Sequence, residues 1–149
     1  MRHQIRWIVK SDSPRVLDIE WLSFQDAWTG RQFQETLKRR EVIGLVSCDE
    51  EMRVAGYAIY EICDSRIDIL NIAVHPLKRR EGHGRALLRC IERKLGSPST
   101  QFIASAMVRE TNLVAQKFFR SCDWRAEAVM RNGYAQGEDA YEFKTGTVL

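Results

Sequence analysis

The chain has 149 residues, enough for one domain and too few for two of ordinary size. An apolar fraction of 44% and a charged fraction of 29% exclude a disordered chain, and no apolar run reaches the roughly 18 residues of a membrane span. The net charge of +3 is too small by itself to indicate nucleic-acid binding.

The first residues, Met1 to Lys10, carry charge throughout and lack the apolar stretch of a secretory signal, which makes the cytoplasm the expected location. Gln4 to Val9 alternates as a strand does. Ser13-Pro14 reads as a helix cap followed by a first-turn proline, with Val16, Leu17, Trp21 and Phe24 as the apolar face. Thr29-x-x-Gln32 is a capping-box pattern, and Phe33 and Leu37 follow it at helical spacing. Val42 to Cys48, Val54 to Cys63 and Arg66 to Val74 are rich in β-branched and apolar residues and read as three strands joined by polar turns. Helical spacing returns from Gly84 to Leu95 (Leu87, Leu88, Ile91, Leu95), and Gly96 and Pro98 end it. Phe102 to Val108 reads as a strand. Asn112 to Cys122 reads as a helix with Val114, Ala115, Phe118 and Cys122 turned inward. Trp124 to Met130 and Ala140 to Lys144 close the chain as strands. The order β-α-α-β-β-β-α-β-α-β-β predicts a mixed α/β sheet between helices, with all of residues 1–149 in one domain.

Charge is unevenly spread. Between His75 and Lys94, seven Lys and Arg stand against Glu81 and Glu92, a net +5 that leaves −2 for the rest of the chain. An anionic ligand is therefore expected near residues 78–85. A strand ends there at Val74, and Gly82 and Gly84 open the next helix. Glycines let the backbone approach a ligand and aim several N–H groups at one point, and a helix N-terminus adds partial positive charge. Together these features form a pyrophosphate site. It is neither a P-loop nor a dinucleotide fingerprint, because both motifs lack required positions. Cys48, Cys63, Cys90 and Cys122 have no metal-ligand spacing and read as buried free thiols, so no metal is expected.

Taken whole, the stretch is more specific. Val74-x-Pro76 followed by Arg79-x-x-Gly82-x-Gly84 resembles the acetyl-CoA signature of the GCN5-related N-acetyltransferases (GNAT). Asn71-Ile-Ala-Val, Arg109-x-x-Asn112, Phe118-Phe119, Arg131-Asn132, Glu138-Asp139-Ala140 and Trp28-Thr29 resemble motifs of its RimI-type branch, which acetylates the N-terminal amine of ribosomal proteins. The resemblance covers nearly the whole chain. It implies a GNAT fold: a mostly antiparallel sheet of about seven strands, helices on both faces, and a parallel strand pair that splays to admit acetyl-CoA. It also implies that the pantetheine arm lies along Ile72, Ala73 and Val74. Arg79, Arg80, Glu81, Gly82, His83, Gly84 and Arg85 would wrap the pyrophosphate, mainly by backbone amides, and Asn112 would bond the cofactor further along. His83 is expected to face solvent.

The chain departs from the RimI-type pattern at two positions. The branch has a glutamate base two residues before Arg109 and a tyrosine acid seven residues after Asn112. Here those places hold Met107 and Phe119, which read as core or pocket-lining residues and cannot move a proton. Asp68 is the best replacement base. The histone-acetylating branch has a glutamate at that position, and alternation puts Asp68 on the face of Leu70, Ile72 and Val74 if no bulge intervenes. Glu61 comes second. For the acid, the resemblance points to Tyr134, in the loop before the last strand, since RimI-type proteins carry tyrosines there, whereas Tyr57 and Tyr60 read as sheet residues. The expected acceptor is a protein or peptide N-terminus. A small-molecule amine, a lysine side chain, or cofactor binding without turnover are the alternatives. The basic stretch is assigned to the cofactor and not to nucleic acid, no membrane contact is expected, and both monomer and homodimer are open.

Overall fold

The computed structural model describes residues 3–95, 103–134 and 137–146. Eleven main elements follow in chain order: β1 (Gln4–Trp7), α1 (Ser13–Ser23), α2 (Gly30–Leu37), β2 (Val42–Cys48), β3 (Val54–Cys63), β4 (Arg66–Val74), α3 (His83–Glu92), β5 (Ile103–Arg109), α4 (Leu113–Ser121), β6 (Arg125–Met130) and β7 (Ala140–Gly146). The seven strands form one sheet in the order β1-β2-β3-β4-β5-β7-β6. Among the described residues β4 and β5 are the one parallel pair. The predicted element order and the mixed, mostly antiparallel sheet are thus observed.

The sheet separates two apolar layers. On one face α3 and α4 pack Leu87, Leu88, Ile91, Phe119 and Cys122 against Ile67, Ile69, Ala104, Ala106 and Phe143. Phe119 lies between Trp124, 5.2 Å away by ring centroid, and Phe143, at 5.7 Å. Such aromatic pairs add about 0.5–1.5 kcal/mol each beyond the area they bury. On the other face α1 and α2 pack Val16, Ile19 and Phe33 against Val42, Val46, Tyr57, Ile59 and Ala73.

Several expectations shift in detail. Asp12 rather than Ser13 is the cap residue of α1, because a short 3-10 turn, Lys10–Asp12, precedes it and ends β1 at Trp7. Trp21 is 78% exposed, since the buried stripe of α1 is Val16, Ile19 and Glu20. Helix α3 runs His83–Glu92 and tightens into a 3-10 turn at Arg93–Leu95, while Gly96, Pro98 and Phe102 lie outside the described residues. In α4, Val114 is 70% exposed, because Phe119 and Cys122 set which side of the helix meets the core. Of the cysteines, Cys48 and Cys122 are buried, Cys90 is half-buried and Cys63 is exposed. Thr29 caps α2 as the sequence implies: its Oγ1 accepts from the Gln32 amide at 3.1 Å, and Gln32 Oε1 accepts from the Thr29 amide at 2.8 Å.

Asp12 joins the entry of α1 to the edge strand. It accepts two bonds from the Arg6 guanidinium, at 2.8 and 2.9 Å, and one from the Val9 amide at 2.8 Å. The Arg6 contact, then the Val9 amide, holds this buried carboxyl below its ordinary value of 3.8 despite the opposing effect of burial. A carboxyl with a depressed folded-state pKa contributes stability that is full above the unfolded value and is lost as the pH falls through the folded value. Asp12→Asn is therefore expected to cost about 1.5–3 kcal/mol at neutral pH, the size of a charge-assisted hydrogen-bond loss. The gap between the two proteins in a urea titration is expected to close as the pH is taken below 3.8.

Candidate active site

The parallel pair holds only at its start. Arg66, Ile67, Asp68 and Ile69 pair with Ile103, Ala104, Ser105 and Ala106, and there the pairing stops. Residues 70–74 of β4 have strand geometry, and 71–74 pair with β3, but none of them has a partner in β5. Strand β5 meanwhile pairs with β7 along its whole length, through Arg109. The two strands therefore splay between Ile69/Ala106 and Val74/Arg109, as a slot for an extended arm requires. Ile72, Ala73 and Val74 lie along it.

A bulge in β4 sets which side chains face which way. Ile59 pairs with Asn71 and Tyr60 with Ile69, which leaves Leu70 unpaired. Ile67, Ile69 and Ile72 consequently face α3 and α4, while Leu70 and Ala73 face α1 and α2. Asp68 alternates with Ile67 and Ile69, so it lies on the face opposite Ile72. The expected common face of Asp68, Ile72 and Val74 is broken by this bulge. Instead Asp68 shares a face with Ser105 and Met107, where the helical cover thins and Met107 is 39% exposed.

That face carries a charged network. Asp68 Oδ1 accepts from Arg66 Nε at 2.6 Å and from Ser105 Oγ at 2.7 Å. The same guanidinium donates to Ser105 Oγ at 2.9 Å and to Glu142 Oε2 at 2.6 Å. Asp68 and Glu142 together raise the pKa of Arg66 above its ordinary value. Glu142 stands directly across from Met107 on β7. Further along β5, Arg109 is bonded by Asp26 and lies 3.3 Å from Glu138, with the Tyr134 ring 4.1 Å from its guanidinium carbon. The Tyr134 hydroxyl donates to the Met107 carbonyl at 3.3 Å. Burial raises the pKa of this phenol, so it stays protonated at neutral pH. Arg109 thus joins the loop between α1 and α2 to the loop between β6 and β7, over the open end of the splay. Of the residues the sequence singles out, Tyr134 meets the Met107 carbonyl, and Asp68 lies against Ser105, two residues back along β5. Glu61 stands directly across from Asp68 on β3 and is held by Arg39. Phe119 is 2% exposed, within the opposite layer.

The phosphate loop has the backbone a pyrophosphate needs. Arg80 and Gly82 both take positive φ, 65° and 86°, so the chain alternates handedness just before the N-terminus of α3. Such an alternation makes a concavity of N–H groups that suits anions. A Cβ on Gly84 would lie 3.0 Å from the Phe118 ring and 3.6 Å from Val74, so the glycine lets α3 sit against the end of β4 and against α4. The side chains of the loop are largely committed elsewhere. Arg79 Nε donates to the Val74 carbonyl at 3.1 Å, and Arg85 donates to the Ser121 carbonyl at 3.2 Å. The Glu81 carbonyl accepts from His3. Asn112 Oδ1 caps α4 through the Ala115 amide at 3.1 Å. His83 is not solvent-facing: it is 2% exposed, its Nδ1 lies 2.7 Å from Ser47 Oγ, and burial, then the nearby His3, lowers its pKa. The loop therefore offers amides more than side chains to an anion, in keeping with the main-chain role the resemblance implies. Residues 72–74, 80, 82 and 84 fit acetyl-CoA.

Sequence reasoning did not foresee that Glu20 is buried beneath this face, where it accepts bonds from Tyr57, Asn71 and the Trp28 amide. Its signal is present in the chain: a carboxylate on the apolar stripe of α1, four residues after Val16. The Arg66–Glu142 pair joins residues 76 positions apart and has no local signal.

Among the described residues no group of three His, Cys, Asp or Glu side chains could hold a metal ion, and no helix is long and apolar enough to cross a membrane. No curated protein sequence matches the chain significantly. Its structure is similar to that of the ribosomal-protein-S18-alanine N-acetyltransferase from Escherichia coli, with TM-score 0.83, 23% identity, and 99% of this chain and 96% of the other covered. It is similar to Ard1 from Thermoplasma volcanium, with TM-score 0.86, 20% identity and both chains fully covered. It is also similar to Arabidopsis thaliana NAA60 in complex with acetyl-CoA, with TM-score 0.81, 16% identity, and 97% and 98% covered. At these identities the likeness establishes the fold. The sequence model of the acetyltransferase (GNAT) family matches residues 13–124, three-quarters of the chain. The splayed strands, the phosphate loop and this match lead to one conclusion: the chain belongs to the GNAT family and is an acetyl-CoA-dependent N-acetyltransferase.

Proposed function

We propose that the acceptor is the N-terminal α-amine of a protein or peptide. The observation that carries this reading is the pair Met107 and Phe119, which removes two proton-handling side chains from an otherwise intact acetyl-CoA frame. Attack on the thioester needs a neutral amine. At pH 7 an α-amine of pKa near 8 is about 10% neutral, whereas a lysine of pKa near 10.4 is below about 0.1% neutral. An acceptor that needs less help from a base therefore suits a site without the glutamate and tyrosine of the RimI-type pattern. The Escherichia coli neighbour is a ribosomal-protein-S18-alanine N-acetyltransferase, and a protein acceptor there supports the same class.

In this reading the amine nitrogen forms its bond to the acetyl carbon as the carbon–sulfur bond breaks. Asp68 takes the proton released from nitrogen, and the Tyr134 hydroxyl supplies one to the departing thiolate. Arg66 and Ser105 hold the Asp68 carboxylate on the acceptor face. The phosphate loop anchors the cofactor through its amides. The loops carrying Asp26 and Glu138 border the acceptor and meet at Arg109. The test is a pair of peptides of one sequence, one with its α-amine blocked and one with its lysines blocked. Transfer to the lysine-blocked peptide alone supports the reading, and transfer to the α-blocked peptide alone refutes it.

A further inference from the structure

The α1–α2 loop borders the acceptor side of the splay, and a buried carboxylate outside the residues placed in the chemistry helps to anchor it. Glu20 is 2% exposed, on the face of α1 that packs against the sheet. Three donors from three parts of the chain converge on its carboxylate. The Tyr57 hydroxyl of β3 donates to Oε1. Asn71 Nδ2, on β4 next to the bulged Leu70, donates to the same oxygen at 2.5 Å. The Trp28 amide, at the end of the loop, donates to Oε2 at 2.9 Å. Burial and then the neighbouring carboxylate raise the Tyr57 pKa, so that hydroxyl remains a donor.

A buried carboxylate is costly without partners, and an apolar residue of similar size would fill the space without that cost. What the carboxylate adds is a fixed spatial relation between two segments that a single apolar contact would leave free to slide. One is the bulge, where β4 leaves β5 and turns Asp68 and Ile72 to opposite faces. The other is the loop that carries Asp26 to Arg109. The capping box of Thr29 and Gln32 fixes the start of α2 immediately after Trp28, so the loop is pinned at its exit by two independent devices. We propose that Glu20 is a positioning residue for the acceptor: it sets the α1–α2 loop against the β4 bulge, and so fixes the acceptor nitrogen relative to the thioester. The proposal rests on the reading that this loop borders the acceptor, and it holds for any amine that enters there.

The test uses Glu20→Gln, which keeps size and shape but presents an N–H₂ group to a site built from donors. Steady-state kinetics are read with whichever acceptor the protein labels, so a wrong acceptor class leaves this experiment intact. Acceptor KM is expected to rise about tenfold, because one partner of a buried network is mismatched, while kcat changes less than about threefold. Acetyl-CoA affinity by calorimetry is expected to stay within about twofold of wild type. Hydrogen exchange of the peptide spanning residues 24–29 needs no acceptor and is expected to quicken at the Trp28 amide. Asn71→Ala cuts the link to the bulge while keeping the carboxylate, and serves if Glu20→Gln does not fold. It is expected to raise acceptor KM in the same direction. A lower melting temperature with unchanged acceptor KM would reduce Glu20 to a structural residue and overturn the proposal. A parallel loss of acetyl-CoA affinity, or unchanged exchange at Trp28, would overturn it as well.

Discussion

Gly84→Leu is expected to abolish measurable acetyl-CoA binding, with affinity falling by about 100-fold or more, because even a strain of about 3 kcal/mol at the site amounts to that factor. The reason is steric and local. A Cβ at this position already meets the Phe118 ring at 3.0 Å, and the remaining three carbons of leucine have only the space between α3, α4 and the end of β4. The first turn of α3 would have to move, and its free amides are what the pyrophosphate needs. Gly82→Val tests the same loop by another route. Gly82 holds φ +86°, which a β-branched residue tolerates poorly, and its Cβ would meet the His3 ring at 3.0 Å. Circular dichroism separates loss of the loop from loss of the fold, and isothermal titration reads the affinity. Two folded variants with wild-type affinity would remove the pyrophosphate from this loop.

Asp68→Asn is expected to lower kcat by about 10²–10⁴-fold, the usual cost of losing a general base, with acetyl-CoA affinity unchanged. The substitution keeps the shape, and one oxygen that can still accept from Ser105. It removes the charge that pairs with Arg66, so a stability control accompanies the kinetics. Tyr134→Phe is expected to act in the same direction. Restoring a carboxylate on β5 tests the logic from the other side. Met107 shares a sheet face with Asp68, so Met107→Glu is expected to recover part of the activity lost in Asp68→Asn. Phe119→Tyr is a different case: its ring is enclosed by Trp124 and Phe143, and an added hydroxyl would need a partner there. A wild-type rate in Asp68→Asn would eliminate Asp68 as the base.

Much of the fold is legible in the chain. Strands β2, β3 and β4 begin and end where their β-branched runs do, because polar turns bound each run. Thr29 and Gln32 mark the start of α2, since a capping box satisfies two amides by local contacts alone. The phosphate loop is legible because glycines and basic residues coincide there. What is not legible depends on contacts between distant segments. The Leu70 bulge leaves no trace in β4, where apolar residues occupy both faces, yet it decides where Asp68 points. His83 reads as a surface residue from its polar neighbours, but Ser47 on β2 draws it under the loop. Val114 satisfies the helical pattern of α4 as well as Phe119 does, and only packing on Trp124 and Phe143 decides between them. The Arg66 network and the Arg109 junction each unite three or more segments, so neither leaves a motif.

Transfer to N-terminal α-amines, as proposed above, is open to direct test. The direct measurement is mass spectrometry of a mixed library incubated with acetyl-CoA and the protein, containing free peptide N-termini, internal lysines and small amines. The expected result is a +42 Da product, the mass of an acetyl group replacing a proton, confined to α-amines and enriched for particular first residues. Label confined to lysine side chains or small amines would contradict it.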